Sequence, residues 1–203
     1  QADHDLAGSG IRTMRAGSDG VPSVVDWLAR ELPKGSRVAL HGQALSVSMH
    51  RNWQSTLDAG GIRLVCELDL PGEVWKDRPA LPQAPVYEHK APFACRTRAG
   101  NLVAVRQSMA ERKADWHFIS TLDDIAWLLN LRGSDVSYNP VFLAHALIGR
   151  DTARLFVAPG KINEDLARAL GRDGVEIAAY DAVGEALSGL PSGQTLLIDP
   201  ART

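Results

Sequence analysis

Residues 36–66, SRVALHGQALSVSMHRNWQSTLDAGGIRLVC, decide the fold class. Ser36-Arg37-Val38-Ala39-Leu40-His41-Gly42 is short, apolar at its centre and closed by glycine, as a strand is. Ser46 to Ala59 has the length of a helix, with Gly60-Gly61 at its end, where a helix stops without steric cost. Ile62-Arg63-Leu64-Val65-Cys66 is a second strand. Strands separated by a helix of this length make a βαβ unit with a right-handed crossover, so the expected class is α/β.

Upstream of this unit, Val24, Val25, Leu28 and Leu32 fall at helical spacing, with Ser23 as the expected N-cap behind Pro22. Downstream, Pro79, Pro82, Pro85 and Pro92 break any helical pattern between Asp77 and Pro92. That stretch is the expected domain boundary or covering loop, dividing the chain into residues 1–92 and 93–203. Beyond it, Leu102, Val105, Met109 and Arg112 predict a helix and Trp116-His117-Phe118-Ile119 a buried strand. Leu122 to Leu131 reads as a short helix capped by Thr121 or Asp123. Phe142–Ile148 and Arg154–Val157 are expected to form a hairpin around Gly149-Arg150-Asp151. Asn163 should cap a helix that ends at Gly171, and Val175–Tyr180 and Gln194–Ile198 supply the last strands.

The chain has 203 residues, 45% hydrophobic and 23% charged, enough apolar material for one large core or two small ones. A formal net charge of -2 with interspersed signs gives no basic footprint for nucleic acid or an anionic membrane. No stretch approaches the roughly 20 apolar residues of a spanning helix, and the start Gln1-Ala2-Asp3-His4-Asp5 is unlike a signal peptide. A cytoplasmic protein is expected. Cys66 and Cys95 are too few for a disulfide scaffold and are read as reduced. Gln1 at the start, and an apolar run meeting Pro200 at the end, read as a cut from something longer.

The motifs of catalysis are not in the chain. Gly8-Ser9-Gly10 has neither the spacing nor the flanks of a nucleophile elbow, and no segment matches a phosphate-cradling glycine loop. The six histidines form no His-x-x-x-His or His-Glu-x-x-His pair, and adjacent residues in Asp3-His4-Asp5 would point to opposite faces of a strand. That cluster is expected to be a solvated terminus. Asp123-Asp124 sit where a helix begins and negative charge is favoured, so they read as capping rather than acid/base residues. Trp27, Trp53, Trp75, Trp116 and Trp127 are assigned to the core or to domain contacts. The expected catalytic and metal-binding sets are therefore empty.

One polar loop stands out, Asn130 to Pro140, between an apolar helix and an apolar strand. It carries the candidate site residues Arg132, Asp135, Tyr138 and Asn139. Its simplest reading is an internally bonded loop, with Arg132 and Asp135 paired and Asn130 and Asn139 satisfying backbone groups.

The run Thr121-Leu122-Asp123-Asp124-Ile125-Ala126-Trp127-Leu128-Leu129-Asn130-Leu131-Arg132-Gly133-Ser134-Asp135, followed by Tyr138-Asn139-Pro140-Val141-Phe142, resembles the second domain of three-domain Xaa-Pro aminopeptidases (aminopeptidase P). Gly20-Val21-Pro22-Ser23 with Trp27-Leu28, and Val74-Trp75-Lys76-Asp77-Arg78-Pro79 with Pro82, resemble the latter part of that family's first domain. The resemblance covers nearly the whole chain and is looser from Ala158 onward. It implies two creatinase N-terminal-like α/β domains with mixed sheets flanked by helices, the first one incomplete. It further implies a catalytic domain of pita-bread fold outside this chain, holding two divalent metals, often manganese. The parent enzyme would remove the residue before a proline from peptide substrates, as a cytoplasmic homo-oligomer. The 132–139 loop would then shape the substrate cleft or, alternatively, serve only structure and assembly. One departure is local: where the family shows Gly-x-Ser and then Lys after Pro92, this chain has Cys95-Arg96-Thr97 and then Asn101.

Overall fold

The computed structural model describes all residues, Gln1–Thr203, as two compact units, Gln1–Arg78 and Pro79–Thr203. In the first, α1 (Ala2–Asp5) is one exposed helical turn, so Asp3-His4-Asp5 are not on a strand. α2 (Val24–Glu31) begins at Ser23, whose side chain accepts from Asp26 N. β1 (Arg37–Ala39) leads through a 3-10 turn, Gly42–Ala44, into α3 (Val47–Ala59), which Ser46 caps at Met49 N. β2 (Arg63–Val65) runs parallel to β1, with Arg37 opposite Arg63 and Ala39 opposite Val65. This is the βαβ unit expected from residues 36–66. Between the strand ends, a Cβ on Gly42 would lie 2.8 Å from Cys66 O, so only glycine fits. α4 (Leu70–Val74) went unforeseen: Asp69 caps it at Gly72 N, and Pro71 is tolerated in its first turn. Val25, Trp53, Leu57 and Ile62 form the buried core of this unit.

The second unit runs β3 (Tyr87–Glu88), α5 (Arg98–Glu111), β4 (Trp116–Ile119), α6 (Leu122–Leu128) and β5 (Leu131–Arg132). It continues with β6 (Ala144–Gly149), β7 (Ala153–Val157), α7 (Glu164–Arg172), β8 (Val175–Ala179), α8 (Val183–Ser188) and β9 (Leu196–Leu197). The main sheet has the order β8-β7-β6-β4-β9. Its β4–β6 and β6–β7 pairs are antiparallel, the expected hairpin among them, while β7–β8 and β4–β9 are parallel. Alternate residues of a strand face opposite sides. Ala144, Ala146, Ile148 and Leu155 pack with Leu102, Met109, Ile125, Leu128, Leu166 and Leu170 of the helices. Phe118, Leu147 and Phe156 face the other side, where Val183, Ala186 and Leu187 of α8 cover them.

Three elements differ from expectation. The proline-rich stretch contains β3, which pairs antiparallel with β5, placing Tyr87 opposite Arg132 inside the second unit. α6 stops at Leu128 rather than Leu131, because Asn130 takes φ +51° and turns the chain into β5. α5 starts at Arg98, four residues before the first apolar position of its pattern, since Thr97 caps it at Gly100 N. Thr97 thus does the capping at the place where the family pattern departs. Of the tryptophans, Trp53 is buried, but Trp75 and Trp127 are about half exposed. No helix is long and apolar enough to cross a membrane.

On the face covered by α8, His145 lies between Phe118 and Tyr180, with ring centroids 5.5 and 4.9 Å away. Its Nδ1 is buried without a hydrogen-bond partner. Burial pushes the imidazole below its ordinary value of 6.5 and the Tyr180 hydroxyl above its own. As pH falls through 6.5 the unfolded chain takes a proton that the native chain resists, so stability drains away below that point until the native value is reached. Urea unfolding at a series of pH values should show His145→Leu losing less stability between about pH 7 and 5 than the unaltered chain.

Candidate functional site

Gly133 to Leu143 form a small hairpin. Gly133 N donates to Pro140 O at 3.2 Å and Asp135 N to Val141 O at 3.1 Å, and Asn139 N closes the tip on Val136 O at 3.2 Å. A Cβ on Gly133 would sit 2.7 Å from that of Phe142, so the two legs meet as closely as backbone allows. The foot is dry, with Phe142 and the Asp135 side chain both 0% exposed. The tip is wet, and Tyr138 projects wholly into solvent with φ +63°. A non-glycine residue in this left-handed region costs about 1–2 kcal/mol. The Tyr138 side chain itself is wholly exposed.

The expected Arg132–Asp135 pair does not form. Arg132 Nη1 donates instead to Ala126 O at 2.9 Å and Leu131 O at 2.8 Å, folding back on the end of α6. Asp135 pairs with Lys161, whose Nζ lies 2.5 Å from both carboxylate oxygens, and it also accepts from Leu143 N at 2.7 Å. Lys161 is 1% exposed and also donates to Pro82 O, while its carbonyl accepts from Val86 N. A fully dry ion pair is favourable only when its remaining polar atoms are satisfied, as they are here. Asn130 does serve the backbone, through Nδ2 to Arg96 O, whereas Asn139 contributes only main-chain hydrogen bonds, to Val136 O and from Val141 N. The structure thus gathers Asp135, Tyr138 and Asn139 in one hairpin and turns Arg132 away from it.

A second buried cation lies behind the loop. Arg98 is 3% exposed; its Nε donates to Leu129 O at 2.7 Å, and its guanidinium pairs with Glu88 at 2.8 Å and Asp173 at 2.5 Å. Burial would raise the Glu88 carboxyl, but Lys90 and Arg98 outweigh it and hold the group below its ordinary range. Asn101 Nδ2 donates to Trp127 O and Leu128 O, and His89 N to Asn130 O. The carbonyls of Trp127 to Asn130, at the end of α6 and just beyond it, find their donors this way, while Arg132 Nη1 takes Ala126 O. Neither Lys161 nor Arg98 was singled out from the sequence. Arg98 left one signal: a cation in the first turn of a helix opposes the helix dipole and implies an acidic partner. Lys161, following the turn at Gly160, left none.

No group of three or more His, Cys, Asp or Glu side chains converges to hold a metal ion. Cys66 and Cys95 are both free thiols. What the loop presents chemically is an exposed phenol on a hairpin with a buried foot.

Two outcomes follow from this geometry. Lys161→Met leaves the Asp135 carboxylate dry and uncompensated and should cost about 3–5 kcal/mol in urea unfolding. Tyr138→Asn, a residue that tolerates positive φ, should leave the fold intact and raise stability by up to about 1 kcal/mol.

Residues 77–203 match the model of the creatinase/prolidase N-terminal domain. Aminopeptidase P2 of Arabidopsis thaliana is 34% identical over 205 residues, covering 99% of this chain and 29% of that protein. The Xaa-Pro aminopeptidase ApepP of Drosophila melanogaster is 35% identical over 196 residues, covering 95% of this chain and 32% of that protein. The X-prolyl aminopeptidase of Caenorhabditis elegans, a cytosolic enzyme with a dinuclear active site, superposes with a TM-score of 0.83 at 29% identity, over 87% of this chain and 29% of its own. The chain therefore spans about three tenths of the length of the curated relatives it matches. On its family match and its fold, it belongs to the creatinase/prolidase N-terminal domain family.

Proposed function

We propose that this chain is the non-catalytic N-terminal portion of a metal-dependent Xaa-Pro aminopeptidase, which removes the residue preceding proline from peptides. The observation that carries the proposal is the pairing of near-complete coverage of this chain with coverage of only 29% and 32% of two aminopeptidase relatives. In this reading the parent enzyme is cytoplasmic and homo-oligomeric. Its two divalent metals, manganese by family resemblance, are held by residues outside these 203, where they activate the attacking water. This chain's own contribution is the Asp135–Asn139 hairpin, which borders the substrate cleft and limits how long a peptide enters.

A second reading, that the chain serves only structure and assembly, is favoured by the half-exposed Trp127 and by Val103, 64% exposed, on the neighbouring helices. Large apolar side chains on a surface suit a protein contact as well as a substrate wall.

The test is hydrolysis of an Arg-Pro-Pro peptide with added manganese, by the 203-residue chain and by the protein extended to include a catalytic domain. Activity is expected only in the extended protein; turnover by the isolated chain would overturn the proposal.

A further inference from the structure

The geometry points to Lys161 as a positioning residue that sets where Tyr138 stands, and through Tyr138 how the enzyme discriminates peptides by length. This inference rests on the cleft reading above. Tyr138 is fully exposed, in a backbone conformation that costs the fold energy, at the tip of a hairpin whose foot is fully buried. Strain kept at an exposed aromatic without an internal partner marks a site selected for contact with something else. An aromatic ring with a hydroxyl suits the extended, proline-containing backbone of a peptide, which presents apolar ring faces and free carbonyls.

The ring lies where it does because its stem is clamped. Asp135, three residues before Tyr138, cannot stay dry without Lys161, and the same carboxylate holds Leu143 N on the opposite leg. Lys161 is in turn tied through Nζ to Pro82 O and through its carbonyl to Val86 N. One cation therefore joins the proline-rich segment, the turn before α7 and both legs of the hairpin. Losing it would let water into the foot and free the tip to move. Lys161 itself is 1% exposed and touches no substrate, so its effect is transmitted only through the hairpin.

The experiment uses the full-length enzyme with fluorotyrosine at position 138. Steady-state kcat and KM are measured on a short and a long peptide that share the sequence Arg-Pro-Pro. Tyr138→Ala should change KM for the long peptide several-fold, and by more than it changes KM for the short one. Lys161→Met should do the same while shifting or broadening the fluorine signal, and adding Tyr138→Ala to it should have little further effect. Should Lys161→Met fail to fold, Asp135→Asn replaces it, since the amide oxygen still accepts from Leu143 N while the charge pairing is lost. Lys161→Arg, which keeps the charge, should recover part of the change. If Tyr138→Ala alters KM but the Lys161 and Asp135 variants lower only the melting temperature, the positioning role is overturned and the cleft reading stands. If Tyr138→Ala alters neither peptide, the cleft reading fails and this inference fails with it.

Discussion

The second unit depends on how a helix can end inside a core. α6 ends at Leu128, and both Leu128 and its C-cap Leu129 are 1% exposed, so the carbonyls at that end cannot reach water. Asn101 and Arg98 from the start of α5 take the carbonyls of Trp127, Leu128 and Leu129, His89 N beside β3 takes that of Asn130, and Arg98 is itself balanced by Glu88 and Asp173. The arrangement is nearly dry, so removing any one partner would strand a polar group whose desolvation costs about 1–3 kcal/mol. With the end of α6 fixed, Asn130 turns the chain into β5, and the hairpin bearing Tyr138 starts from a set position.

Two buried cations divide the work. Arg98 anchors the helix ends, whereas Lys161 holds the hairpin to the segments on either side of it. Both draw their partners from far along the chain: Arg98 reaches Asp173 and Lys161 reaches Pro82, 75 and 79 residues away. For the Arg98–Asp173 pair, a wrong register of those distant segments would leave an ion buried and without its partner.

Most of the secondary structure was legible because it is written locally. Ser23 and Asn163 each cap a helix with their own side chain, and Gly149-Arg150-Asp151 does join a hairpin. What failed was written non-locally. β3 lies among prolines and exists because β5 offers it partners, and β5 is a strand rather than the end of a helix for the same reason. The site was half legible. A dense polar loop drew attention to Arg132, Asp135, Tyr138 and Asn139, but adjacency suggested the wrong pair, since Asp135 finds its cation 26 residues downstream. Positive φ at Tyr138 had no sequence signal at all, because tyrosine is not a residue that such a turn selects.

The parallel pairing of β9 with β4 bears on the order in which the protein is made. β4 finds one neighbour in β6 soon after it emerges, but its other neighbour, β9, and the Leu197 carbonyl that His117 contacts come 80 residues later. At about 5–20 residues per second on the ribosome, that edge of the sheet stays open for roughly 4–16 s. During that interval the apolar strand is a nascent surface able to pair with other chains, so the sheet's completion is a late, topologically slow step that a chaperone would be suited to guard.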